Sequence, residues 1–238
     1  MRRQSFFIRW LYAFIPAHVS NGIVLGVMQI MRFLQRRGYK YAADHLMENK
    51  RRLNEIQNEA APDSEKYIED QKSYKNIRLG KSDIAVAGCE VIATYNVLRA
   101  LKMTQVSFAE LISDFEKDGI IYGGRFGVAA SAMRDRLKAA GLDTVMTTDK
   151  GKMGGLLKDS EVSILTMYND RTTIGAQVHS VTVTGTDDEH GYYVHNVHGD
   201  GKVYGPFSDW SDLIKRLNDG RIGPISLIGV RRHNDVRD

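Results

Sequence analysis

The chain has 238 residues, 42% hydrophobic and 26% charged, enough for one full core plus an appendage. Only 4 Pro and no long low-complexity tract argue against extensive disorder. A single cysteine, Cys89, excludes a disulfide within the chain and a cysteine-based zinc site.

The net charge of +4 is unevenly spread. Residues 1–52 hold ten Lys/Arg against two acids, Asp44 and Glu48, and the remainder holds 23 against 27. The amino-terminal arm is therefore strongly basic and the body mildly acidic. Such an arm suits an anionic membrane surface, an acidic partner or the body itself. No nucleic-acid module signature is present, so nucleic acid is not an expected partner. Met1-Arg2-Arg3 before the apolar stretch Trp10 to Met31 superficially resembles a signal or anchor. However, Arg9, Pro16, His18, Ser20, Asn21 and Gln29 interrupt it, so no run of about 20 apolar residues survives. Amphipathic helices are expected instead. The expected location is cytoplasmic, with membrane association through the arm as an option, and a lone cysteine leaves secretion open.

In chain order, residues 22–37 read as a helix, with Ile23, Val24, Val27, Ile30, Met31 and Leu34 apolar and Arg36-Arg37-Gly38 ending it. Residues 40–58 read as a more polar second helix. Ala60-Ala61-Pro62-Asp63-Ser64 reads as a linker, dividing the chain into an arm, 1–65, and a main domain, 66–238. Residues 89–102 are helical in period, through Val91, Tyr95, Leu98 and Leu101. Ser107-Phe108-Ala109-Glu110 is a capping box that opens a helix reaching about Lys117. Residues 127–140 form a third helix, stopped by Gly141.

The period then changes. Residues 161–168 and 179–184 read as strands, and 192–197 follows after a turn at 187–191. Gly199-Asp200-Gly201-Lys202 is a hairpin turn. Ser208 caps a short helix to Leu217, and 224–230 closes the chain as a strand. Helices to about residue 160 followed by an antiparallel sheet define an α+β fold.

Cys89 stands at an expected helix start, where backbone N–H groups and the helix dipole favour a thiolate and can also stabilise a substrate oxyanion. Gly88 leaves room beside the sulfur. Its imidazole partner has to come from a distant strand. His179, His195 and His198 are candidates, and His179 is preferred because it lies at a strand mouth. Asn196, on the next strand, is placed to orient the second ring nitrogen; Asp187 and Asp188 are alternatives in an expected turn.

The order of a Cys at a helix start, then His, then Asn on the following strand, carried by DIAVAGCEVIATYNVL, VHSVTVTG and YYVHNV, resembles the papain superfamily. It is similar to the bacterial branch that removes double-glycine leaders in bacteriocin export. The resemblance covers residues 76–198. It implies a papain-like fold with a cleft between a helical part, about 74–160, and a sheet part, about 161–238. It implies Cys89 as nucleophile, His179 as general base and acid, Asn196 as orienter, and cleavage of a peptide or protein substrate through a thioester without a cofactor. In that family a Gln about six residues before the nucleophile donates to the oxyanion. Here Asp83 holds that position, so a protonated Asp83, Ser82, Asn76 or the Cys89 N–H remain as donors. Asp83 also suits a capping role.

Competing expectations are a catalytically silent papain-fold binding module, an amide transferase using the same groups, and a structural partner protein. A metal reading of His190, His195 and His198 is disfavoured, as is a phosphate-loop reading of Gly123-Gly124-Arg125-Phe126-Gly127, which lacks Lys-Ser/Thr. Glu90 reads as a first-turn acid and Trp210 as core. The arm is expected to act as a prosegment over the cleft or as a membrane or docking element.

Overall fold

The computed structural model describes residues 17–38, 45–59, 67–103, 105–168, 178–185, 191–217 and 223–233. The expected linker at 60–64, the turn at 187–190 with His190, and the signal-like residues before Ala17 lie outside these.

The described chain is mixed α+β. In order it forms α1 (Ala17–Gly38), α2 (His45–Glu59), a 3-10 turn (Gln71–Tyr74), β1 (Arg78–Leu79), β2 (Ser82–Asp83), α3 (Ile84–Ala87), α4 (Cys89–Ala100), α5 (Phe108–Lys117) and α6 (Ala130–Ala139). Then come β3 (Leu142–Thr147), α7 (Lys150–Lys158), β4 (Val162–Tyr168), β5 (Val178–Gly185), β6 (Tyr192–His195), β7 (Tyr204–Phe207), α8 (Trp210–Leu217) and β8 (Pro224–Arg232). Strands β3 to β8 make one six-stranded sheet in the order β3-β8-β4-β5-β6-β7, and every neighbouring pair is antiparallel.

Side chains alternate across a strand, so adjacent apolar residues feed two different cores. Val162, Ile164, Ile228 and Val230 join the apolar residues of α4, α5 and α6 on one face. Leu165, Met167, Val181, Val183 and Leu227 join Met153 and Leu157 of α7 and Leu213 and Leu217 of α8 on the other. This explains why β4 is buried at every position. Helix α4 is buried nearly all round, so it is the central helix.

The capping box of α5 forms as expected, with Ser107 Oγ accepting from the Glu110 N–H and the Glu110 carboxylate accepting from the Ser107 N–H. Gly141 follows α6 with φ +82°. Two expectations are corrected. The part read as purely helical contains β3, which adds to the sheet edge along β8. Helix α8 is capped by Asp209 rather than Ser208, because Asp209 Oδ1 accepts from the Asp212 N–H at 2.8 Å.

The arm helices pack on the body. Leu53 of α2 is buried in the larger core, and Leu25, Met28 and Met31 of α1 pack against it. Arg32, 5% exposed, donates to Asp118 at 3.1 and 3.0 Å, Asp135 at 2.8 Å and Ser131 at 3.1 Å. Asn49 exchanges two hydrogen bonds with the Arg78 backbone, at 3.0 and 2.8 Å. The Asn21 amide donates to the Pro224 carbonyl at 3.1 Å, and Leu25 packs against the Tyr168 and Ile225 cluster, as does Val178. Residue 178 immediately precedes His179, so α1 is seated at the sheet end that carries this histidine.

Candidate active site

Cys89 is the first residue of α4 and 7% exposed. Helices α3 and α4 meet at Gly88, where a Cβ would stand 2.7 Å from Ile84 backbone atoms. The role expected for Gly88, room for substrate, is thus corrected: the glycine permits the close joint that sets the Cys89 helix start.

Helix α4 lies against β5, where the Thr182 hydroxyl donates to the Ala93 carbonyl at 3.1 Å. The Ser180 backbone amide favours the ionised form of Cys89. His179 is therefore carried on the strand that packs against the helix beginning at the nucleophile candidate. Its Nε2 lies 2.7 Å from the backbone carbonyl of Asn196. A carbonyl only accepts, so Nε2 carries the proton and, in the neutral ring, Nδ1 is the basic nitrogen.

Asn196 holds this carbonyl in an unusual conformation, with φ +58°. A non-glycine residue stays there only when its surroundings fix it. Its N–H donates to Glu69 Oε2 at 2.8 Å and its Nδ2 to Gln71 Oε1 at 3.2 Å. Glu69 Oε1 meets His195 Nδ1 at 2.5 Å, and His195 Nε2 meets the Thr184 hydroxyl at 3.0 Å. Tyr67 lies against the His195 ring with centroids 4.1 Å apart. Gln71 in turn donates to the Ala85 carbonyl of α3 at 3.2 Å, closing a chain of contacts from Asn196 to the segment before Cys89. The orienting group expected from Asn196 was its side chain; the structure uses its main chain. Asn196 Oδ1 is buried with no hydrogen-bond partner. His195, the rival base, is committed to Glu69 and Thr184.

Asp83 is the N-cap of α3, its Oδ1 accepting from the Val86 N–H at 2.9 Å. Of the other expected oxyanion donors, Asn76 is exposed in the turn before β1, and Ser82 pairs with Leu79 across β1–β2. Gln71, not singled out from the sequence, is the amide that reaches the Asn196 network.

Glu90 is the first-turn acid of α4, as expected. It is also buried, 4% exposed. Burial pushes its carboxyl up to about 7, against the pull of its own N–H, the Cys89 thiol and the Val128 N–H. Oε2 has no hydrogen-bond partner, and a Cβ on Gly127 would sit 2.6 Å from it. Thus Gly127, at the end of the glycine segment, closes over a buried carboxyl. Burial, then the Glu90 charge, push the Cys89 thiol well above its ordinary value, outweighing the Ser180 and Glu90 backbone amides. The direction of this shift opposes the thiolate expected from the helix start.

A depression of about 640 Å³ lined by Tyr67, Lys102, Glu161, Thr184, Tyr192 and Arg232 lies at the far end of β5 from His179. Among the described residues there is no group of three or more His, Cys, Asp or Glu able to hold a metal. Likewise, among the described residues no helix is long and apolar enough to cross a membrane. The chain matches no family model, no curated protein and no solved structure.

Proposed function

We propose that the chain is a cysteine-nucleophile hydrolase that cleaves a peptide or amide bond in a peptide or protein. The observation that carries this reading is the packing of α4, which begins at Cys89, on β5 through the Thr182–Ala93 hydrogen bond, β5 being the strand of a histidine whose Nε2 is bound to a carbonyl at 2.7 Å. The resemblance of the GCEVIATYNVL, HSVTVTG and YYVHNV segments to the papain superfamily supports it further.

In this reading His179 Nδ1 takes the Cys89 proton as the sulfur attacks the carbonyl carbon. Because burial raises the thiol, proton transfer accompanies attack rather than preceding it. The tetrahedral oxyanion is met by N–H groups at the start of α4. The imidazolium returns its proton to the departing amine, leaving a thioester that water hydrolyses. Transfer to an amine instead of water uses the same groups.

One observation favours a second reading, a binding module that keeps the fold without the chemistry: the sulfur is buried beside a carboxyl that opposes its ionisation. One experiment separates the two. A proteome-derived peptide mixture is incubated with the chain or with Cys89→Ala, and products are read by mass spectrometry. Cleavages or amide transfers made only by the wild type support the hydrolase or transferase; identical product sets, with peptides retained by both proteins, support the binding module.

A further inference from the structure

Helix α1 has two faces of opposite purpose. Asn21, Leu25, Met28, Arg32 and Gln35 engage the body through the contacts described above and through a hydrogen bond from the Gly123 N–H to Gln35 at 3.1 Å. On the other side, Val19, Ile23, Val27, Ile30 and Leu34 are between 42% and 61% exposed. At about 100° per residue these five fall within an arc of about 80°, and the body-facing five fall within the opposite arc. The outward residues form a continuous apolar row about 23 Å long. Scattered exposed apolar residues need no explanation, but a continuous row does.

The charge around that row selects its occupant. Residues 1–43 contain seven Lys/Arg and no Asp or Glu. Arg32 is turned inward to Asp118 and Asp135. The others, Arg2, Arg3, Arg9, Arg36, Arg37 and Lys40, bracket the row in sequence, and Phe6, Phe7, Trp10, Tyr12 and Phe14 precede it. An apolar strip flanked by cations and aromatic residues has the chemistry of a helix lying in the plane of an anionic bilayer. A second copy of the same helix would bring its own cations against these. A membrane-crossing role does not fit, because the helix is not apolar enough.

We infer that α1 is a membrane-surface helix, whose outward row enters the headgroup region of an anionic bilayer while its inward face keeps the body attached. The peripheral attachment does not depend on chemistry at Cys89.

The test uses the full chain and sedimentation with phosphatidylcholine vesicles, with and without phosphatidylserine. The wild type and Cys89→Ala pellet with the anionic vesicles, more weakly at high salt and weakly with phosphatidylcholine alone. The double variant Val27→Glu/Ile30→Glu changes exposed positions only; it keeps the wild-type melting temperature and loses at least about tenfold in partitioning. Wild-type chain that stays in the supernatant, or a double variant that pellets equally well, overturns the inference. So does a lipid-free dimer that the double variant disperses, since that outcome gives the row to a second copy.

Discussion

His179 Nε2 donates to the main-chain carbonyl of Asn196 at 2.7 Å, while the Asn196 side chain points to Gln71. The ring is oriented by a backbone atom, so the side chain at position 196 is dispensable for that bond. What position 196 must supply is a left-handed backbone, φ +58°.

Asn196→Gly therefore retains the site better than Asn196→Ala. Glycine adopts positive φ without strain, whereas alanine costs about 1 kcal/mol there. Alkylation of Cys89 by iodoacetamide, followed by intact mass, is expected to stay within about threefold of wild type for the glycine variant. A side-chain orienter predicts that both variants lose reactivity equally.

Glu69 is the support beneath this arrangement, holding the His195 ring and the Asn196 N–H with its two oxygens. Removing it leaves both buried groups without an acceptor. Glu69→Ala is expected to lose about 2–3 kcal/mol in urea unfolding. A loss below about 0.5 kcal/mol would show that water replaces the carboxylate at no cost.

Much of this fold was legible in the chain itself. Ser107 and Glu110 announced α5, the alternation from His179 to Thr184 announced β5, and Gly88-Cys89 marked a true helix start. These signals are local, set by caps and periodicity. Strand β3 and helix α7 were not legible for a physical reason. The KGKMGGLLK segment carries three glycines and little helix propensity, and it is held by the Asp149 cap and the burial of Met153 and Leu157. The candidate site was half legible. Residue type and order pointed to Cys89, His179 and Asn196. A carbonyl, however, belongs to every residue, so its use at position 196 left no trace in sequence. Glu69 and Gln71 reach the site only through a pairing more than a hundred residues away, and the burial of Glu90 depends on the loop that ends at Gly127.

Glu90 makes the protein sensitive to pH in a stated direction. Its folded carboxyl, pushed up to about 7, binds a proton more tightly than the same group in the unfolded chain, near 4.5. The stabilisation this gives is complete below about 4.5 and is lost as pH rises through about 7. The loss is roughly 3 kcal/mol in size. Glu90→Gln is expected to remove this slope in urea unfolding at pH 5 and pH 8. At pH 8 it should also alkylate faster at Cys89, by about tenfold, because the opposing charge is gone. An unchanged slope and an unchanged rate would place the carboxyl outside the influence of the thiol.

Arg32 ties α1 to Asp118, Asp135 and Ser131. Because its acceptors are partly exposed, Arg32→Ala is expected to cost about 2 kcal/mol in thermal or urea unfolding rather than the larger loss of a fully buried pair. Deleting residues 1–62 is a poorer probe of the arm, since it strips Leu53 out of the main core. If α1 at the His179 end of the sheet shields the site, Arg32→Ala also raises the rate of Cys89 alkylation; an unchanged rate with the expected loss of stability would confine the helix to a structural and surface role.

The base role of His179 is tested most directly by one comparison. Cys89 is the single cysteine, so its alkylation by iodoacetamide is read without background. At pH 7, His179→Ala is expected to react at least about tenfold more slowly than wild type at an equal melting temperature, because the thiol loses its proton acceptor. Equal rates in two folded proteins would contradict the account, for the imidazole would then have no part in activating the sulfur.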